Sequence, residues 1–237
     1  MPSLRPADVL AALSRADATA PRLTHYDDTT GERIELSART LGNWVAKAAN
    51  LLQDDADAGP GTSVGLDLPA HWRAAYWALA TWSVGATLVV GDAAGAADVV
   101  VTTSPELASA AMEDGRYAVL VTLAALARRN PAAPPGVVDE AAELANQPDV
   151  FDALNEWGDG DPAWRATSPA DAAYGQLVRA DAHPAGTRAV VPDALGPMLR
   201  AALDVWAVGG SIVLLHDALG DQTKRLAAER VTVDLRA

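Results

Sequence analysis

The 237-residue chain contains no cysteine. Disulfides, thiolate nucleophiles and cysteine-based zinc sites are therefore excluded from the start. Lysine is almost absent, with only Lys47 and Lys224, and the net charge is −13 with a pI near 4.6. Nucleic-acid binding rests on neutralising phosphates with Lys and Arg, and no basic stripe exists, so no nucleic-acid partner is expected. No run approaches the roughly 18 apolar residues of a membrane span. The stretch from Met1 to Ala20 lacks the apolar centre of a signal peptide. No membrane partner is expected, and the expected location is cytoplasmic.

Half of the residues are hydrophobic, enough for a sizeable core and too many for a disordered chain. Ser3 and Pro6 precede Val9, Leu10 and Leu13 at helical spacing, and Pro21 stops that first helix. Arg22 to Tyr26 and Arg33 to Leu36 alternate around the turn Asp27 to Gly31, which predicts a β-hairpin. Ser37 is an N-cap for a helix whose stripe is Leu41, Trp44, Val45, Ala48, Leu51 and Leu52. Val64 to Leu68 predicts a strand, and Pro69 to Val84 a helix ended by Gly85. Strands are expected at Ala86 to Val90, Asp98 to Thr102 and Tyr117 to Val121, with a helix at Leu107 to Met112.

Arg128 to Gly136 is Pro-rich loop, Asp139 to Leu154 holds one or two short helices, and Glu156 to Asp171 is acidic loop. Strands are expected again at Ala173 to Val178, Thr187 to Val191, Ser211 to His216 and Val231 to Leu235. Helices are expected at Pro192 to Val208 and Leu219 to Glu229. Alternating strands and helices predict an α/β fold with a mostly parallel sheet covered by helices. The expected organisation is a first lobe over 1–127, a connecting region over 128–171 and a smaller second lobe over 172–237, the two lobes forming one compact domain or two.

Few motifs carry chemistry. Gly59-Pro60-Gly61-Thr62 precedes a strand and lacks the lysine of a phosphate loop. Gly91 to Gly95 is not a dinucleotide fingerprint. His25, His71, His183 and His216 show no zinc-site spacing, and Asp181 with His183 makes at most half a metal site. No nucleophile elbow is present. Acidic pairs such as Asp54-Asp55 and Asp139-Glu140 read as solvated faces. Of seven tryptophans, Trp44, Trp72, Trp77, Trp82 and Trp206 fall on expected helices. Steps of five residues should turn at least one of Trp72, Trp77 and Trp82 outward, and Trp157 and Trp164 are expected as exposed aromatics.

Several segments in order resemble the N-terminal portion of the AMP-binding, adenylate-forming enzymes, the class of the acyl-CoA synthetases. They are Leu23-Thr24-His25-Tyr26, Leu36-Ser37-Ala38-Arg39-Thr40-Leu41, Gly59 to Val64, Leu68-Pro69-Ala70, Val84-Gly85-Ala86, Leu203 to Leu214 and Arg230 to Val233. An uncharacterised actinobacterial group is similar to that portion. The resemblance implies a lead-in to a phosphate loop, which Asp171-Ala172-Ala173-Tyr174-Gly175-Gln176 matches. The loop itself departs: Val178-Arg179-Ala180-Asp181-Ala182-His183-Pro184-Ala185-Gly186 has no Thr and keeps Gly only at its last position. Ala185 stands where the family has lysine, and Asp181 adds negative charge where an anion would sit.

Later family motifs and the catalytic C-terminal domain have no counterpart before Ala237. The expectation is therefore a truncated pseudoenzyme acting as a binding or interaction module, with no catalytic residue, metal ligand or cofactor assigned. Uncovered sheet edges would favour a homodimer or another protein partner. One alternative is a nucleotide- or acyl-binding protein or enzyme with altered chemistry, in which Arg179, His183 and Arg188 supply anion contacts. Another is a subunit completed by a separate polypeptide.

Overall fold

The computed structural model describes residues 4–166 and 170–236. Ser3 and part of the expected 156–171 loop lie outside them. Helix α1 (Pro6–Asp17) opens with proline in its first turn, where a missing N–H does no harm. Strands β1 (Pro21–Asp27) and β2 (Glu32–Ser37) form the expected antiparallel hairpin. Helix α2 (Ala38–Asn50) starts at Ser37, whose Oγ accepts the Thr40 N–H at 3.1 Å. After β3 (Ser63–Asp67), helix α3 (Trp72–Ser83) begins three residues later than Pro69 suggests. His71 is its N-cap, with Nδ1 accepting the Arg73 N–H at 3.2 Å. Gly85 closes the helix at φ +83°, a conformation that favours glycine.

The chain then runs through β4 (Thr87–Val90), β5 (Val99–Thr102), α4 (Pro105–Glu113), β6 (Tyr117–Leu120), β7 (Val138–Asp139) and α5 (Glu140–Glu143). Strand β8 (Pro162–Arg165) lies within the stretch expected as loop. It forms there because Trp164 is buried, and because Ala163 O accepts the Trp82 indole N–H at 2.8 Å. Conversely, the strand expected at 173–178 is only β9 (Ala172–Ala173) followed by a 3₁₀ turn. Strand β10 (Arg188–Val190), helix α6 (Leu195–Ala207), β11 (Ser211–His216), α7 (Thr223–Ala228) and β12 (Val233–Asp234) complete the chain.

Two sheets result. One has the order β12-β10-β11-β1-β2, and the other β7-β6-β5-β3-β4-β8-β9. Each is parallel except for one antiparallel edge strand, β2 and β9 respectively. The first sheet unites the N-terminal hairpin with strands from the far end of the chain. One continuous core joins both sheets, from Leu23 and Leu214 in the first to Val64 and Leu88 in the second.

Helix α3 lies at the centre of that core, against α1, α2, α6, β1 and β3. Every residue from Trp72 to Trp82 is buried, so none of its tryptophans faces outward as their spacing suggests. A helix enclosed on all sides needs no polar face. Trp164 is likewise buried and stacks on Trp82, while Trp157 is half-buried against Tyr174. Each enclosed tryptophan removes about 200 Å² from water, worth roughly 5 kcal/mol before entropy is counted. Among the described residues no helix is long and apolar enough to cross a membrane.

Candidate functional site

In open parallel sheets, the crevice outside the carboxyl ends of the strands is where ligands settle. Here those ends collect side chains that the sequence keeps far apart. Along β1 the residues Leu23, His25 and Asp27 share one face, and their partners on β11 are Ile212, Leu214 and His216. Because Leu23, Ile212 and Leu214 belong to the main core, His25 and His216 point inward as well. His71, just before α3, places its ring 4.5 Å from that of His25, and the His216 ring stacks on His25 at 6.4 Å. No spacing rule in the sequence links these three histidines. The available signal is parity: a polar residue on the core-facing register at a strand's carboxyl end.

Burial separates their charge states. His25 is fully enclosed with neither ring nitrogen hydrogen-bonded. Burial, then the His216 charge, push its pKa down to about 4 against the pull of Asp27 and Asp193. Burial, then His25 and Arg73, push His71 down to about 2. At His216 burial alone would lower the pKa, but the bond to Asp193 and the nearby charges of Asp193, Asp217 and Asp27 raise it. His216 Nδ1 lies 3.0 Å from Asp193 Oδ1, and Nε2 lies 3.7 Å from Asp217 Oδ2. Asp217 is held at φ +47°, a region few non-glycine residues enter, with its N–H donating to Asp193 Oδ2 at 3.1 Å. Asp193, His216 and Asp217 offer ligand atoms within 4.8 Å of one another. However, the two carboxylates face opposite ring nitrogens, and a metal on one nitrogen turns away from the other. This arrangement suits an imidazolium clamped between two carboxylates.

In the other sheet, at the carboxyl ends of β6 and β7, Arg73 meets Glu140. Glu140 is 0% exposed, contrary to its reading as part of a solvated pair. Arg73 Nη1 donates to Glu140 Oε1 and approaches Tyr76 OH, each at 3.3 Å, while Nη2 donates to Ala124 O at 3.0 Å. The Tyr76 hydroxyl donates a short hydrogen bond to the same Oε1. The guanidinium lies over the Trp72 ring at 4.4 Å and the Trp44 ring at 5.9 Å. Burial pushes the Glu140 carboxyl up to about 7, opposed by Arg73 and the Thr122 amide.

Of the positions expected to contact an anion, Arg179, His183 and Arg188, the two arginines are each paired with a carboxylate of this chain. Arg179 grips the buried carboxylate of Asp204 through its backbone N–H at 3.1 Å and both Nε and Nη2. Arg188 bonds Glu229, Ser211 and Thr24. His183 is half-buried, and with Asp181 it joins no three-residue metal cluster among the described residues. The backbone around them is also engaged. Ala182 N–H donates to Arg179 O, Gly186 N–H to Val208 O at 2.8 Å, and Thr187 N–H to Pro184 O at 3.2 Å. The lead-in is anchored by Tyr174, fully buried, whose hydroxyl donates to Ala86 O at 2.8 Å.

No protein-family model matches the chain. A TIGR03089 family protein of Mycobacterium tuberculosis is 44% identical over 142 residues, which is 57% of this chain and 57% of that protein. Among solved structures, the N-terminal domain of FACL13 from Mycobacterium tuberculosis superposes with a TM-score of 0.71 at 14% identity, covering 98% of this chain and 62% of that one. Acetoacetyl-CoA synthetase from Streptomyces lividans gives 0.68 at 19% identity, over 90% and 38%. An artificially fused adenylation–PCP di-domain, NpsA-ThdA from Klebsiella oxytoca, gives 0.65 at 16% identity, over 98% and 43%. The chain thus has the fold of the N-terminal subdomains of acyl-CoA synthetases. It spans less than two thirds of the length of each of these proteins.

Proposed function

We propose that this chain uses the acyl-CoA synthetase N-terminal fold as a binding module and does not form adenylates. The observation that supports this most is the fate of residues 178–186, where the resemblance places a phosphate loop. A phosphate cradle needs free backbone amides, close approach and a lysine. In this segment Arg179 is tied to Asp204 by backbone and side chain, the amides of Ala182 and Gly186 are bonded within the protein, and Ala185 replaces the lysine. The Asp181 carboxylate adds repulsion toward a triphosphate.

The test is ATP–pyrophosphate exchange with a panel of short and long carboxylic acids, beside calorimetry with ATP and AMP in the presence and absence of magnesium. The expected result is no exchange above the buffer rate and no heat of nucleotide binding. Exchange at the rate of an active acyl-CoA synthetase would overturn the reading. Nucleotide binding without exchange would favour the alternative of a nucleotide-binding protein with altered chemistry.

A further inference from the structure

Two surface loops carry charge of opposite sign. Residues 115–138 contain Arg128 and Arg129 and no acidic residue, although the chain as a whole has a net charge of −13. Leu126 in that loop is 93% exposed, and the exposed Arg128 and Arg129 beside it make no ion pair among the described residues. Residues 149–161 contain five acidic residues and no basic one. Asp149 pairs with Lys47 and Asp159 with Arg5, which leaves Asp152 and Glu156 without an ion pair among the described residues. Val150 and Leu154 in the acidic loop are exposed as well. A lone exposed leucine is ordinary on a protein surface. Here the exposed apolar side chains sit on two loops of matched and opposite charge.

The acidic loop also walls a surface cavity of about 380 Å³, lined by Leu10 of α1, by Gly42, Val45 and Ala46 of α2, and by Phe151 and Asp152. Both loops are held in place. Asn50 Nδ2 donates to Pro148 O at 3.1 Å and to Val150 O at 2.9 Å, and the Leu154 N–H donates to Gln53 Oε1 at 3.0 Å. Just before Leu126, Arg73 Nη2 donates to Ala124 O and the Ala125 N–H to Glu32 Oε1, each at 3.0 Å. Knob and cavity are therefore preformed, which lowers the cost of docking. Leu126 does not fill the cavity of its own chain. Its neighbours Ala125, Ala127 and Arg128 line a different cavity with Trp44, whereas Gly42 and Ala46, two residues to either side of Trp44, lie about 200° round α2.

We propose that the partner of this module is a second copy of the chain, docked head to tail: Leu126 of one copy enters the cavity of the next, and Arg128 and Arg129 face Asp152 and Glu156 around it. The two halves of the contact are different surfaces, so the association is heterologous and runs on into rings or short chains. Charge complementarity fixes the pairing, because knob against knob or cavity against cavity brings like charges together. This inference rests on the reading of the chain as a binding module and names its partner.

The test is sedimentation velocity of the full chain from about 5 to 200 µM, at about 0.15 M salt, where a Debye length of about 8 Å screens the net repulsion between copies. The parent is expected to associate with rising concentration. Leu126→Asp, the pair Arg128→Glu/Arg129→Glu and the pair Asp152→Arg/Glu156→Arg should each weaken association at least about tenfold. All six positions contacted by these changes are surface groups or their new partners, and combining the two charge-reversing pairs in one chain should restore association toward that of the parent. Mixing Leu126→Asp with Asp152→Arg/Glu156→Glu-free parent is unnecessary, because rescue by the combined reversal already shows that the reversed chains are folded. A parent that stays monomeric at about 200 µM, a Leu126→Asp protein that associates like the parent, or a combined reversal as weak as either pair alone would each overturn the inference. A monomeric parent leaves the loss of adenylation standing, whereas ATP–pyrophosphate exchange by an associating protein would overturn that reading and leave this contact intact.

Discussion

Replacing His25 with leucine should make the protein less sensitive to acid. In the folded chain His25 is enclosed, with Asp27 beside it on β1, His71 before α3, Asp193 after β10 and His216 at the end of β11. Its folded pKa near 4 lies below the ordinary 6.5 of an exposed imidazole. As pH falls from 8 to 5, the unfolded chain takes up almost a full proton at this position and the folded chain about a tenth of one. The unfolded state binds more protons, so acid destabilises the fold. Integrated over that window, the loss assigned to His25 is about 2 kcal/mol. His71, also lowered, adds to acid sensitivity, whereas Glu140, raised to about 7, opposes it. Both are present in parent and variant; because His25 also lowers His71, the comparison reads His25 together with that coupling, which acts in the same direction. Urea unfolding followed by tryptophan fluorescence at pH 8 and pH 5 is the assay. The parent should lose about 2 kcal/mol more than His25→Leu between the two pH values. An equal loss in both proteins would show that His25 is as easily protonated in the folded state as in the unfolded one, which contradicts the burial argument.

Two structural predictions follow the same logic. A β-carbon on Gly65 in β3 would sit 1.9 Å from Ala94 O and 2.7 Å from Ala94 C, both backbone atoms that cannot swing aside. Gly65→Ala should therefore destabilise by about 3 kcal/mol or more; a melting temperature within a degree or two of the parent would refute the close packing. Trp82→Phe keeps most of the ring but strips the donor from the buried carbonyl of Ala163. It should cost about 1–3 kcal/mol in chemical denaturation, and a change under about 0.5 kcal/mol would mean that the bond contributes little.

Much of the fold is legible from local signals. Ser37, Gly85 and the Arg22 to Leu36 alternation place a helix start, a helix end and a hairpin where the structure has them. The tryptophans of α3 mislead because an amphipathic reading assumes one wet face, and only tertiary placement between two sheets removes it. Strand β8 hides in a Gly- and Pro-rich acidic stretch because its pairing with β4 is non-local. The site was less legible still. His25 and His216 meet because β1 pairs with β11, and His71 joins them because α3 packs on β1, contacts that no sequence pattern announces. Glu140 looks like one of many surface acids until Arg73, from α3, is placed against it.

The pairing of β1 with β11 also orders events during synthesis. The first hairpin leaves the ribosome early, yet its parallel partner is the stretch Ser211–His216. At about ten residues per second, the edge of β1 waits about nineteen seconds for its neighbour. The strands of the other sheet emerge during that interval, with β8 and β9 still ahead of β10 and β11 in the chain. A nascent chain stalled between the two sheets would carry an unpaired Leu23-Thr24-His25-Tyr26 edge. Until the last strands arrive, that edge is open to pairing with any other extended segment.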